Sequence, residues 1–523
     1  MSEFENEFTW GRALQNNSTE EFHANFEKAI DEVQNNFGKS YPLIINGKEI
    51  FSDYCFTVKS PADTRISIGK FPKASIEDTK SAIAYAKESF EKWSHTPYKK
   101  RAEIFRDCAN IFSMEKYSLA AIMTFENGKN RLEAIGDVDE AIDFMRFYAY
   151  QLEKNEGFCK PTFHPNPHEK TQTILKPFGV WGIIAPFNFP SAIAIGMTTG
   201  ALITGNAAVL KPASDAPLSS YKFAKIIAPK IPPGAINFLT GSGSVVGKTL
   251  IESPDVDGIA FTGSHEVGMS GFKEFTKASV RPFISEMGGK NPVIVTKNTD
   301  LDKATNGVLN AAFGFGGQKC SACSRVYVQN EIADQFISKL VEKTKKLKIG
   351  MPWQKEVFLG PVINQDAKLK FEEAVNLAKK DGQVLVGGTT INAVGLEHGY
   401  FVEPTIVTKL PESHKLMKEE LFLPFLCIQR FENFDDALKL ANQTEYGLTA
   451  GIFSDDQKQL DEFFSKIQAG VVYANRSASA TTAALVSSQP FVGWKNSGST
   501  GKGAGGENYL QQFMRAQTQT RCD

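Results

Sequence analysis

Between Phe178 and Val295 short apolar runs alternate with longer amphipathic stretches. "VWGIIA", "AAVLKP", "INFLTG" and "GIAFTG" read as strands, and "SYKFAKIIAPKI" and "SVVGKTLIESP" as helices. Apolar runs of that length, bounded by Gly and Pro, suit strands covered on both faces, and their alternation with helices implies a parallel sheet. Ligands of such sheets bind beyond the carboxyl ends of the strands. The pattern then repeats. "NPVIVTK" is followed by helix "LDKATNGVLNAAFGF", strand "SRVYVQN" and helix "IADQFISKLVEKTKKLKIG", which makes a second α/β unit.

Upstream the pattern changes. Residues 1–40 are polar and helical in period ("TEEFHANFEKAIDEVQNNF"), an extension packed on a larger body. "YPLIINGKEI" reads as a hairpin turning at Asn46-Gly47. Ser75 to about Leu152 is mostly helical, opening with Ser75 as N-cap and Asp78 three residues on, a variant of the capping box. "GFCKPTFHPNPHEKTQTILKP" reads as an exposed hairpin whose edges need another surface, such as a partner subunit. The stretch between Lys176 and Lys211 has no charge and is long enough to span a bilayer. Prolines 177, 186 and 190 break it into a strand (Gly179–Ala185), a turn, a helix (Ser191–Thr204) and a strand (Ala207–Leu210), so no membrane span is expected.

At 523 residues the chain exceeds one ordinary core, which implies two or more domains. Lys plus Arg total 58 against 59 for Asp plus Glu. That balance offers no basic field to nucleic acid or an anionic membrane, and points to small molecules and sister subunits as partners. The seven cysteines are odd in number and scattered, unlike a disulfide framework, so a reducing compartment is expected. "MSEFENEFTW" has neither a signal core nor the Arg-rich character of a transit peptide, which gives a cytoplasmic address by default.

Candidate chemistry sits in glycine-flanked loops. "FGFGGQKCSAC" places Cys320 and Cys323 three apart behind glycines. Zinc needs further ligands in compact spacing; His164 and His168 lie in the proline-broken hairpin, and no metal is expected. A thioredoxin-type couple opens a helix after a strand, and here the order is reversed. One reactive thiol remains, against the alternative of a cysteine that merely packs. The glycines admit a ligand to the backbone, and an N–H beside the sulfur could hold an oxyanion. "SEMGGKN" sets Glu286 before two glycines, where a solvated carboxylate is the commoner case. "PFNFP" sets the Asn188 amide in a sharp turn at a strand end, where Asn usually caps backbone. "INFLTGSGSVVG" carries G-x-G-x-x-x-G from Gly241 to Gly247, one residue off the dinucleotide spacing. In "GIAFTGSHEVG", Gly263-Ser264 separates a strand from a helix that Ser264 can cap, and the free N–H groups suit a pyrophosphate. "VLKPAS" ends a strand with Lys211, within reach of ribose hydroxyls.

In this order the blocks "PFNFP", "VLKPAS", "FTGSHEVG", "EMGGKNP", "GGQKCSACSR", "GYFVEPTI", "MKEELF" and "PFVGWKNSG" resemble the aldehyde dehydrogenase superfamily, from about Tyr41 to the C-terminus. "FGFGGQKCSACSR" and "SGSTGKGAGGENYLQQF" most resemble its branch acting on glutamate γ-semialdehyde. The resemblance implies an α/β fold with a Rossmann-type coenzyme domain, an α/β catalytic domain and a small oligomerisation hairpin. Its boundaries are a helical extension over 1–40, a coenzyme domain over 41–154 and 175–285, and a catalytic domain over 286–487. The hairpin and tail loop take 155–174 and 488–523. It implies Cys320 as nucleophile, Asn188 with the Cys320 N–H as oxyanion donors, and Glu286 as the base that activates water. NAD would be held by Lys211, Ser214, Gly243, Gly247, Phe261, Gly263, Ser264, Glu420 and Phe422. The semialdehyde would meet Glu140, Phe189, Ser321, Phe513 and the amides of Gly505 and Gly506. Cys323 has no role in this scheme, and a homo-oligomer is implied.

The alternatives are another short semialdehyde (succinic or 2-oxoglutaric), a coenzyme A-acylating enzyme, which does not need Glu286, or a non-catalytic member. Three departures stand out. Leu423 replaces a glycine usual in the superfamily. Ser214 stands where many members carry Glu, which removes the charge that repels a 2′-phosphate, so NADP is expected to serve beside NAD. The tail loop is one residue longer than the common pattern.

Overall fold

A computed structural model describes residues 4–164, 166–477 and 485–522. The N-terminal extension forms α1 (Thr9–Gln15) and α2 (Thr19–Gln34), and α2 buries Phe22, Phe26, Ala29, Ile30 and Val33. The hairpin of β1 (Leu43–Ile45) and β2 (Lys48–Ile50) turns where expected. Asn46 and Gly47 both take positive φ, 53° and 71°, as such a two-residue turn requires. A second hairpin, β3 (Cys55–Lys59) with β4 (Ser67–Pro72), leads to α3 (Ile76–Ser94). The capping box at its start is complete: Ser75 Oγ accepts from the Asp78 N–H, and the Asp78 carboxylate accepts from the Ser75 N–H. Two long helices follow, α4 (Tyr98–Glu126) and α5 (Arg131–Lys154), packed along each other.

Next come the short β5 (Cys159–Pro161) and β6 (Glu169–Pro177). The first α/β unit is β7 (Val180–Ile184), α6 (Ala192–Ile203), β8 (Ala207–Lys211), α7 (Pro217–Ile227), β9 (Ile236–Phe238), α8 (Lys248–Glu252), β10 (Gly258–Thr262), α9 (His265–Thr276) and β11 (Phe283–Glu286). Its sheet runs β11-β10-β7-β8-β9-β1-β2. The strands β7 to β11 are mutually parallel, and β1 adds antiparallel to β9. Connections leave β7 toward β8 on one side and return to β10 on the other. That makes the β7–β10 boundary a topological switch point, where a crevice opens at the carboxyl ends.

The uncharged stretch is thus strand, turn, buried helix and strand. Helix α6 is apolar on all sides because it is enclosed; Gly196 and Gly200 let Phe144 and Phe513 approach to where a Cβ would collide at 2.9 and 2.6 Å. Among the described residues no helix is long and apolar enough to cross a membrane.

The second unit holds β12 (Asn291–Val295), α10 (Leu301–Phe313), β13 (Cys323–Gln329), β14 (Gln383–Val386), β15 (Thr405–Thr408), β16 (Phe425–Phe431), β17 (Tyr446–Gly447), β18 (Thr449–Phe453) and β19 (Val471–Ala474). Its sheet runs β14-β15-β16-β13-β12-β18-β19 and is parallel except at the β14 edge. β17 pairs instead with β20 (Trp494–Lys495). The last strand, β21 (Met514–Cys522), lies antiparallel to β6 along its whole length. The exposed hairpin is therefore a sheet of order β21-β6-β5. "MRAQTQTRC" has no apolar face to announce a strand; the open edge of β6 makes it one.

Candidate active site

The loop carrying Cys320 is shaped by backbone that few side chains tolerate. After α10, Phe315, Gly316 and Gly317 all take positive φ, and a Cβ on Gly317 would lie 2.2 Å from the Leu423 carbonyl. Asn291 then clamps the chain, donating from Nδ2 to the carbonyls of Cys320 (2.7 Å) and Ala322 (2.9 Å), while its Oδ1 accepts from the Thr449 N–H (3.0 Å). Cys320 stays partly exposed. Desolvation raises its thiol pKa, and the Glu420 and Glu286 carboxylates raise it further. Cys323 is buried at the start of β13, its thiol pushed up to about 12 by desolvation.

Asn188, in the turn after β7, is buried and donates from Nδ2 to the Gln318 carbonyl at 3.1 Å, which joins its turn to the Cys320 loop. A primary amide has two N–H groups, so a second donor remains. Glu286 ends β11. Its Oε2 is buried with no partner among the described residues, and desolvation holds its carboxyl well above the usual range against one N–H from Gly493. A buried carboxyl oxygen without a partner is costly as a structural device, and the group in its ionised form is suited to accepting a proton.

Glu420 stands across the opening. The Gly289 N–H donates to it at 2.8 Å, and a Cβ on Gly288 would collide with it at 2.2 Å. Burial lifts its pKa to about 7. Phe422 holds positive φ (62°) and sets its ring edge-on to Phe187, centroids 5.8 Å apart. Leu423, the departure from the superfamily, is buried with its carbonyl against Gly317.

The residues expected to hold coenzyme gather at the ends of β8, β9 and β10. Lys211 is buried, donates to the Pro212 carbonyl at 2.9 Å, and is brought down to about 8 by desolvation. Ser214 Oγ donates to the Gly241 carbonyl at 3.0 Å. Gly243 and Gly247 have open space where a Cβ would stand, and neither has positive φ. The chain's own packing therefore does not call for glycine at either position. Ser264 caps α9, accepting from the Val267 N–H at 3.4 Å. Phe261 corrects an expectation: its ring is buried beneath Gly263, with a Cβ there only 2.6 Å away, so it supports the turn and does not line a ligand surface.

Of the residues expected to meet substrate, Glu140 faces inward from α5. Burial raises its carboxyl to about 7, Asp137 adds to this, and Lys129 and Lys319 oppose it. The Lys129 ammonium lies 3.6 Å from the Phe189 ring centroid. The Ser321 carbonyl accepts from Thr449 Oγ1 at 3.1 Å. The two tail-loop amides are both engaged: Gly505 N–H donates to Tyr148 Oη (3.1 Å) and Gly506 N–H to the Gly503 carbonyl (3.2 Å). Phe513 is a second correction. It closes a turn just before β21 with its ring driven into the core against Trp181, centroids 4.6 Å apart, and over Gly200, so no face is left for a substrate.

Sequence reasoning missed the corner between α4 and α5. Asn127 Nδ2 donates to the Phe187 carbonyl (3.1 Å), and fully buried Lys129 pairs with Asp137 (2.8 Å). Asp137 also accepts from the Ala192 N–H at the start of α6 (2.6 Å), and Glu126 caps α7 through Ser219. The corner thus grips the Asn188 turn from both sides. Nothing in "ENGKN" signals this, because the partners are remote in sequence. A Lys129→Met substitution leaves Asp137 buried with no cation opposite it and only the Ala192 N–H as partner; it is expected to cost about 3–5 kcal/mol in denaturant unfolding and to lower kcat. Unchanged stability and turnover would show that the pair does not hold the turn.

The chain matches the profile of the aldehyde dehydrogenase family over residues 51–519. It is 38% identical to 1-pyrroline-5-carboxylate dehydrogenase of Geobacillus sp. (strain WCH70) over 94% of this chain and 95% of the relative. Among solved structures, 1-pyrroline-5-carboxylate dehydrogenase from Thermus with bound NAD superposes with a TM-score of 0.94 at 32% identity, both chains covered in full. Proline utilization A of Bdellovibrio bacteriovorus, inactivated by N-propargylglycine, superposes with a TM-score of 0.93 at 34% identity over 99% of this chain and 53% of that one.

Proposed function

Since the chain belongs to the aldehyde dehydrogenase family, we propose that it oxidises L-glutamate γ-semialdehyde, derived from 1-pyrroline-5-carboxylate, to L-glutamate with NAD. The observation that carries the reaction is the meeting of a partly exposed thiol, a buried amide and an orphaned carboxylate at the ends of three loops. The names of relatives matched along nearly the whole chain support the substrate.

Cys320 Sγ gives up its proton to water and, as the thiolate, bonds to the aldehyde carbon, and the carbonyl pair moves onto oxygen. That oxyanion is met by the free N–H of Asn188 and the Cys320 backbone N–H. The chemistry supplied by bound NAD is acceptance of a hydride, which leaves the substrate carbon as a thioester on Cys320. Glu286 then takes a proton from water, the resulting hydroxide adds to the thioester, and the Cys320 sulfur departs with release of the carboxylate. A non-catalytic member would need none of these groups, and an acylating enzyme would not need Glu286.

The residues present fit the coenzyme. Open backbone at Gly243 and Gly247 and the α9 N-terminus behind Gly263 and Ser264 would suit phosphates, Lys211 and Ser214 would hold ribose hydroxyls, and Glu420 with Phe422 would hold the nicotinamide half. For the substrate, Phe189, Glu140 and Ser321 would meet the semialdehyde, whereas the Gly505 and Gly506 amides are engaged by Tyr148 and the Gly503 carbonyl. The long exposed edges of the β21-β6-β5 sheet support a homo-oligomer, and a cytoplasmic enzyme goes with this reading.

The test is NAD reduction by purified protein with 1-pyrroline-5-carboxylate, succinic semialdehyde, 2-oxoglutaric semialdehyde and propanal. The expected result is a preference in kcat/KM for pyrroline-5-carboxylate of about tenfold or more, roughly 1.4 kcal/mol. An equal or better rate with another semialdehyde would keep the Cys320 chemistry and overturn the substrate. In the same assay NADP is expected to support turnover because Ser214 presents no charge to a 2′-phosphate. A preference for NAD beyond about 10³-fold, roughly 4 kcal/mol, would contradict that.

A further inference from the structure

A lysine enclosed by protein is an expensive choice of residue. Its ammonium gives up water, and apolar side chains of similar bulk commonly hold a fold as well as a buried ion pair does. Lys129, in the corner between α4 and α5, is fully buried, and so is its partner Asp137. Asp137 takes one of the three ammonium N–H groups, at 2.8 Å. The ammonium also lies against two aromatic rings, 3.6 Å from the Phe189 centroid and 5.1 Å from that of Phe315. Both distances are within the range in which a cation is drawn to a ring, and the attraction is strongest where water is excluded.

The two rings belong to the two segments that have to meet in the reaction. Phe189 directly follows Asn188 in the turn after β7. Phe315 stands at the head of the loop that carries Cys320 and holds positive φ (51°). The Asn188 amide reaches across with one N–H, to the Gln318 carbonyl at 3.1 Å. The direction of its other N–H depends on how the turn sits over the loop. Each segment is steadied separately. Asn127 donates to the Phe187 carbonyl (3.1 Å), and its Oδ1 accepts from the Lys129 N–H (3.3 Å). Gln318 Nε2 donates to the carbonyls of Phe315 and Pro361, both at 3.3 Å. The Lys129 ammonium crosses from one segment to the other.

We infer that Lys129 is a positioning residue that keeps Asn188 in register with Cys320, its ammonium joining the ring beside the amide to the ring that heads the thiol loop. The inference rests on the reading of Asn188 as an oxyanion donor. Lys129 then touches neither substrate nor coenzyme; it acts on the reaction through the aim of the free Asn188 N–H.

Phe315→Leu and Lys129→Met test it in the full chain, each alone and combined with Asn188→Ala. Initial rates are taken with the fastest aldehyde of the panel, and NAD affinity by equilibrium titration. F315L leaves the Lys129–Asp137 pair whole, so it decides the matter should K129M fold poorly. Alone, F315L is expected to lower kcat about tenfold with NAD affinity unchanged, and K129M to lower it further. In N188A, itself slower by about 10²–10³-fold, either change is expected to cost less than about twofold more, because the group it aims is gone. A ring that merely packs would lose the same factor in both backgrounds. That result, or an unchanged kcat in F315L, would overturn the inference. An N188A protein as fast as wild type defeats the reading of Asn188, and the inference with it.

Discussion

Replacing Cys320 by Ala is expected to abolish aldehyde oxidation, by about 10⁴-fold or more, while coenzyme still binds. The loop should survive the change, because what fixes it is backbone: Asn291 holds the carbonyls on either side of the thiol, and Gly317 makes room for Leu423. The paired measurements are initial rates of NAD reduction and an equilibrium titration of NAD. Substantial residual turnover would mean another nucleophile. Cys323 is a poor substitute, being buried in β13 with its thiol pushed up and turned to the Arg325 carbonyl at 3.5 Å. Loss of NAD binding together with turnover would instead assign Cys320 a structural part.

Glu286→Gln should separate the two halves of the reaction. Gln keeps the shape and cannot take a proton, so acylation of Cys320 proceeds and hydrolysis stalls. The expected trace is a burst of reduced coenzyme, one per site, followed by a steady rate about 10²–10⁴-fold below wild type. Absence of a burst with the same loss of rate would place Glu286 before the thioester. Wild-type hydrolysis should climb with pH, because burial raises the Glu286 pKa and the ionised form is the active one. Stability runs the other way. A carboxyl whose folded pKa is raised supports the fold below its unfolded value and loses that support as pH rises through the folded pKa. The Gln variant should therefore match wild type in acid and unfold at a higher temperature in alkali, and equal unfolding temperatures in alkali would contradict the raised pKa.

Much of this was legible locally. Asn46-Gly47, the Ser75–Asp78 box and the proline-broken apolar stretch each carry their structure in a few neighbouring residues, so pattern and turn chemistry were enough. Cys320, Asn188 and Glu286 were legible because each lies in a glycine- or proline-flanked run at a strand end. What escaped depends on remote partners. Lys129 is an unremarkable lysine until Asp137 and the Phe189 ring enclose it. Phe513 and Phe189 look alike in sequence, yet only the former is driven into the core, by the turn that precedes β21. The tail-loop amides gave no sign that Tyr148, 357 residues earlier, would engage Gly505.

The pairing of β6 with β21 has a consequence in time. Gln172 and Gln519, which bond across that ladder, are 347 positions apart. At the pace of translation, the middle strand of this sheet emerges on the order of tens of seconds before its outer neighbour exists. Through that interval β6 offers a nine-residue open edge to whatever is near, a chaperone or a nascent sister chain. The three-stranded sheet is finished only when β21 arrives, so chains halted short of it keep the β6 edge open.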